Sequence, residues 1–71
     1  GEWHDIFTAA WDRLENDRQH HRSLPLDEYA LNSPAEFFAV CSEAFFESPE
    51  TMKEKMPKVY GLLCQFYRQQ P

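Results

Sequence analysis

Two side chains in this sequence have the types and the spacing to do chemistry together: Tyr29 and, seven residues later, Glu36. The acid stands in the run YALNSPAEFFAVCSEAFF, Tyr29 to Phe46, with Phe37, Phe38, Phe45 and Phe46 for company. A carboxylate among so many rings must be paired, hydrogen-bonded, turned to solvent or bound to a metal, because burying it alone is heavily penalised. Two readings follow. In the first, Ser33-Pro34-Ala35-Glu36 is a helix start: serine caps, proline takes the first helical position, and the glutamate reaches back to the Ser33 backbone N–H to close a capping box. In the second, Glu36 is a metal ligand projecting from that helix, and Tyr29 on the preceding loop donates a phenolic hydrogen bond into the same site. Spacing leaves both open.

The other candidates have plainer readings beside the chemical ones. Glu43 lies seven residues after Glu36, two turns along the same face, and is either an acid that orients a metal ligand or a solvated surface carboxylate. His20 and His21 read as exposed polar residues at a helix end, or as an adventitious metal site. Being adjacent, they would lie about 100° apart on a helix, unlike the i, i+4 histidines of His-Glu-x-x-His. Only one more histidine, His4, exists, so that motif is absent. Cys41 and Cys64 each sit in a helical apolar pattern and read as reduced core residues, which points to a reducing, cytoplasmic compartment. Trp3 and Trp11 form a stripe suited to core packing or to gripping a partner helix.

The elements that must position these residues are helical. Trp3, Ile6, Phe7, Ala10, Trp11 and Leu14 recur at three- and four-residue spacing and predict an amphipathic helix to about Asn16. Asp17 to Ser23 is polar, and Leu24-Pro25-Leu26 stops any helix, so a loop is expected from about Arg22 to Asn32. The Ser33 cap opens a helix to about Glu47. On it Phe37, Phe38, Val40, Cys41, Ala44 and Phe45 span a broad apolar arc, while Glu36, Glu43 and Glu47 share an edge. Ser48-Pro49 repeats the cap-then-proline signal and opens a short helix through about Lys55. From Pro57 a last helix carries Val59, Tyr60, Leu62, Leu63, Phe66 and Tyr67 on one face. The expectation is an all-α unit over residues 1–71, a small bundle of about four helices.

Composition bounds what such a unit can do. With 71 residues, 42% of them hydrophobic and 15% aromatic, it can hold one small core, worth no more than about 3 to 5 kcal/mol at this size. A net charge of −5 repels a phosphate backbone, and no basic stripe interleaved with aromatics is present, so nucleic acid is excluded as a partner. No apolar run reaches the roughly 18 residues of a membrane span. The middle helix is apolar on several faces and wants more cover than two short neighbours provide. The chain therefore reads as a segment of a larger catalytic domain, and self-association is one way for the segment alone to cover its rings.

The order of Glu28-Tyr29-Ala30, then Pro34-Ala35-Glu36-Phe37-Phe38-Ala39-Val40, then Ser42-Glu43-Ala44-Phe45-Phe46, and finally Cys64-Gln65-Phe66-Tyr67-Arg68-Gln69 resembles the carboxy-terminal third of the Mlc titration factor A family of zinc-dependent peptidases. The resemblance implies the carboxy-terminal part of a zincin-like, gluzincin or lethal-factor-like metallopeptidase domain. In that family a His-Glu-x-x-His helix supplies two histidine ligands and a general base, and a glutamate on a later helix completes the zinc site. Carried over, Glu36 matches the glutamate zinc ligand and Tyr29 the tyrosine that stabilises the oxyanion. The implied activity is hydrolysis of a peptide substrate by a zinc-activated water, and the implied further partner is the Mlc-type transcriptional repressor of glucose regulation. The chain departs from the family pattern at Asn32-Ser33, Ala44 and Gln70, which leaves the assignments of Tyr29 and Glu36 in place.

Because the two histidines and the base lie outside these residues, the segment alone is expected neither to hydrolyse peptides nor to hold zinc tightly. The competing expectation is a helical protein-interaction module without chemistry, in which Glu36 only caps its helix. The position of the Glu36 carboxylate discriminates: beside Tyr29 in one cleft for the peptidase, folded back on Ser33 for the module.

Overall fold

The computed structural model describes residues 1–68. Among these there are four α-helices, one 3₁₀ helix and no strand. In chain order they are α1 (Glu2–Gln19), the 3₁₀ helix (Glu28–Asn32), α2 (Pro34–Glu47), α3 (Pro49–Lys55) and α4 (Pro57–Tyr67). The all-α expectation holds, and no helix among the described residues is long and apolar enough to cross a membrane. Gln69 and Gln70, named in the sequence comparison, lie outside the described residues.

Helix α1 runs three residues beyond the expected stop. Its polar end is held on its own surface: the Arg18 guanidinium takes both Glu15 carboxylate oxygens at 2.7 and 2.8 Å, and a cation in the last turn also suits the helix dipole. The helix then ends in a Schellman motif. The Arg22 N–H reaches the Asp17 carbonyl at 2.8 Å, the His21 N–H reaches that of Arg18 at 3.1 Å, and His21 takes the left-handed turn with φ 58°. The adjacent histidines thus close a helix, His20 with its Nδ1 2.8 Å from the Asn16 carbonyl oxygen.

The segment expected as loop up to Asn32 contains the 3₁₀ helix, which is the main correction to the sequence reading. Its Ala30 and Leu31 are buried at 0% and 6% exposure, so the chain tightens there to seat both against the core. It stops at Ser33, which is extended with φ −159° and ψ 157° because the following proline disfavours a helical residue before it. The same device makes the next two corners. Ser48 and Met56, each before a proline, share φ near −138° and ψ near 60°. Each donates its N–H backward, Ser48 to Ala44 at 2.8 Å and Met56 to Met52 at 2.7 Å. Each also offers its carbonyl forward, to Met52 and Tyr60 at 3.1 and 2.9 Å. One residue ends one helix and begins the next, with both of its own backbone polar groups paired.

The core gathers Leu14, Leu26, Phe37, Val40, Cys41, Met52, Met56, Val59, Leu62 and Leu63 with the two 3₁₀ residues, and among the described residues no polar or charged one is buried with them. Aromatic rings brace α1 against α2: Trp3 and Phe7 meet Phe38 at 6.4 and 6.0 Å, and Phe37 meets Phe7 and Trp11 edge-on at 6.0 and 5.4 Å. The tryptophan stripe is therefore a packing stripe. Phe46 and Phe66, however, remain 60% and 51% exposed.

Both cysteines are free, Cys41 buried and Cys64 half-buried. Burial pushes the Cys41 thiol from its ordinary 9.0 up to about 12. The folded value lies above the unfolded one, so this contribution is complete below pH 9 and is lost as pH rises through the interval to 12, where the unfolded chain releases the proton first. Chemical denaturation is expected to show stability falling by up to about 1.4 kcal/mol per pH unit across that window. The Cys41→Ala variant should fall less steeply, and equal slopes would refute the assignment.

Candidate functional site

Glu36 occupies the third position of α2, a place set by local chemistry. Pro34 supplies a preset φ at the first position, and the Ser33 hydroxyl oxygen accepts the Glu36 backbone N–H at 3.2 Å. The carboxylate itself is loosely held. Its Oε1 receives the Ser33 hydroxyl at 3.5 Å, the far limit of a hydrogen bond, and it makes no bond to the Ser33 N–H among the described residues. Half of the capping box is present, and the half that would tie down the acid is not. Glu36 remains exposed.

Tyr29 sits in the 3₁₀ helix, not on a loop, and is 46% exposed. The 3₁₀ helix and α2 meet at the single extended residue Ser33, which turns the two elements toward one another. The phenol feels the result: Glu43 first, then partial loss of solvent, then Asp27 and Glu36, raise it above its ordinary 10.0. The three residues singled out from sequence thus share one electrostatic neighbourhood. Asp27 joins them from the cap position of the 3₁₀ helix, a role that reading the segment as loop concealed. Neither Glu36 nor Glu43 forms an ion pair among the described residues. Chemically, the face offers hard carboxylate oxygen donors beside a phenol that keeps its proton.

The same face does not complete a metal site by itself. No group of three or more His, Cys, Asp or Glu residues among those described could hold a metal ion. His4 stands exposed near the start of α1 beside Asp5 at 3.6 Å, and His20 and His21 close its other end. The histidines thus belong to α1 and its turn, while Glu36 belongs to α2.

Comparison with known proteins adds a family. The model of the family described as glucose-regulated metallo-peptidase M90 matches residues 1–68. Mlc titration factor A of Yersinia pestis (strain Pestoides F) is 52% identical over 71 residues, which cover 97% of this chain and 26% of that protein. The proteins of the same name from Edwardsiella ictaluri and Pectobacterium atrosepticum are 41% and 39% identical, over 97% of this chain and 27% of their own lengths. The chain therefore spans about a quarter of the length of the curated relatives it matches. No solved structure matches it.

Proposed function

From the premise that the chain belongs to the glucose-regulated metallo-peptidase M90 family, we propose that it supplies the glutamate ligand and the oxyanion-stabilising tyrosine of a zinc peptidase whose histidines and base lie elsewhere in the full-length protein. The observation that supports this reading is the exposed Glu36 carboxylate at the start of α2, in no ion pair among the described residues, whose charge acts with those of Glu43 and Asp27 on the Tyr29 phenol. Its one side-chain hydrogen bond among those residues, from the Ser33 hydroxyl at 3.5 Å, is the position expected for the interaction module and is at the far limit of such a bond.

The donor chemistry fits. Zinc in catalytic sites takes three protein ligands of nitrogen, sulfur or carboxylate oxygen and leaves a position open, and an exposed carboxylate at the start of a rigid helix is one such donor. When bound, zinc supplies Lewis acidity and lowers the pKa of a water to about 7. Glu36 would hold the metal through its carboxylate. Tyr29 keeps its proton on the phenol oxygen because the acids around it oppose a phenolate, and so remains a donor at neutral and mildly alkaline pH. Its hydrogen bond would strengthen as negative charge builds on the peptide carbonyl oxygen, where a preorganised donor acts. Glu43, in this proposal, keeps the phenol protonated and belongs to the outer surroundings of the metal.

Exposed Phe46 and Phe66 support a further part of the proposal, that residues 1–71 are one helical unit packed against the rest of a larger catalytic domain. Cytoplasmic location, supported by two free cysteines, and binding to an Mlc-type repressor, suggested by the name of the relatives, are extensions of the same reading. The segment alone is proposed to be inactive.

Tyr29→Phe in the full-length protein tests the site. Peptidase kcat is expected to fall roughly 100- to 1,000-fold, the scale of losing one oxyanion donor, with zinc content unchanged. Undiminished activity would remove Tyr29 from the mechanism.

A further inference from the structure

A groove of about 490 Å³ runs between α1 and the corner where α3 meets α4. Its volume lies in the range of roughly 300 to 1,000 Å³ typical of ligand sites. None of its lining residues lies on α2 or the 3₁₀ helix, so it is separate from the face that carries Glu36 and Tyr29. Ala9, Ala10, Pro25, Met56 and Pro57 give it an apolar floor, and Arg13, Lys55 and Lys58 stand on its walls.

The distribution of charge is what sets this groove apart. The chain carries seven lysines and arginines against twelve acids. Arg18 and Arg22 are held in ion pairs with Glu15 and Asp17. Of the remaining cations, Arg13, Lys55 and Lys58 form no ion pair among the described residues, and all three line the groove. Two acids line it as well: Asp17 is occupied by Arg22 at 2.9 Å, and Asp5, at the far end on α1, stands beside His4 at 3.6 Å, so three cations face two carboxylates. An acidic protein has thus gathered most of its uncommitted positive charge around one apolar cleft. Arg13 stands on the α1 wall, while Lys55 and Lys58 flank the opposite corner. Cations on two walls suit a ligand with carboxylates along both flanks, which a polypeptide has and a single-headed amphiphile lacks.

We infer that this groove docks an acidic amphipathic peptide segment of a partner protein, with apolar side chains on the floor and carboxylates against Arg13, Lys55 and Lys58. The mode is a helix or turn laid into a groove, with the charges steering encounter and fixing register. The inference does not depend on the metal reading and would survive its loss.

The test is fluorescence anisotropy on the full-length protein. The probe is a labelled peptide of about three helical turns with leucines at i, i+3 and i+7 and glutamates flanking them. The controls are the same peptide with lysine for glutamate and a scrambled version of equal composition. The acidic peptide is expected to bind at least tenfold more tightly than either control, and more weakly as salt is raised. The exposed pair Lys55→Glu and Lys58→Glu together should weaken it at least tenfold and improve binding of the lysine peptide. Ala9→Trp, which fills the floor from an exposed position, should also weaken the acidic peptide at least tenfold while leaving the circular dichroism unchanged. Equal binding of all three peptides, no saturable binding, or an unchanged affinity in the charge-reversed variant would overturn the inference.

Discussion

Glu36→Gln in the full-length protein is expected to lose its zinc and, with it, peptidase activity, while keeping its fold. Glutamine is close in shape to glutamate but neutral, so it removes the charge that would balance a dication and weakens the oxygen as a donor. Even residues that merely orient metal ligands cost 10- to 100-fold in affinity or activity when changed, so losing a ligand should exceed about 100-fold. The structural role at this position survives, because the cap hydrogen bond to Ser33 comes from the backbone N–H of residue 36, which glutamine also has. Zinc per chain by elemental analysis, peptidase rate and thermal unfolding should therefore separate, the first two collapsing and the third holding. Unchanged zinc and rate would leave Glu36 as a helix cap and favour the interaction-module alternative.

Phe37→Ala in the 71-residue chain is expected to unfold it. The ring is 3% exposed, wedged edge-on between Phe7 and Trp11, and it ties α2 to α1. Truncating a buried phenylalanine costs about 3 to 5 kcal/mol, and a core of this size supplies about 3 to 5 kcal/mol in all, so nothing remains to hold the native state. Far-ultraviolet circular dichroism should show loss of helix at 25 °C where the parent chain is folded. A variant that melts cooperatively near the parent temperature would show that Phe37 is not a keystone. Phe46→Ala offers the contrast. At 60% exposure it should cost the isolated chain no more than about 0.5 kcal/mol, as surface substitutions do. It should destabilise the full-length protein clearly more if the rest of the domain covers that ring.

Much of this architecture was written in local signals. Ser33-Pro34, Ser48-Pro49 and Pro57 each announced a helix start, and all three helices begin there. The tryptophan and phenylalanine stripe of α1 and the Phe37, Val40, Cys41 stripe of α2 read directly as apolar faces, and which face meets which came only with the fold. The 3₁₀ helix did not, because its cause is tertiary: Ala30 and Leu31 tighten the chain only when there is a core to enter. The turn at His21 was hidden for another reason, since a glycine would have marked a left-handed helix end and a histidine does not. The same split governs the site. Tyr29 and Glu36 were visible as residue types at a suggestive spacing, but the way their two elements meet depends on an extended Ser33 that redirects the chain. Phe66 was expected on the packed face of α4 and is half exposed instead: its ring meets Trp3 and Phe38 at 5.6 and 5.8 Å, at the edge of the aromatic cluster and not inside it.

The corners at Ser48 and Met56 have a consequence for how this sequence can vary. Each joint is one residue long and spends its amide on one helix and its carbonyl on the other, so the path from α2 through α4 has no slack to absorb a length change. One residue added at Met56 would rotate α4 by about 100°, carrying the buried Val59 away from the interior and bringing Lys58 into its place. Substitutions can accumulate along these helices, but insertions and deletions at their junctions cannot.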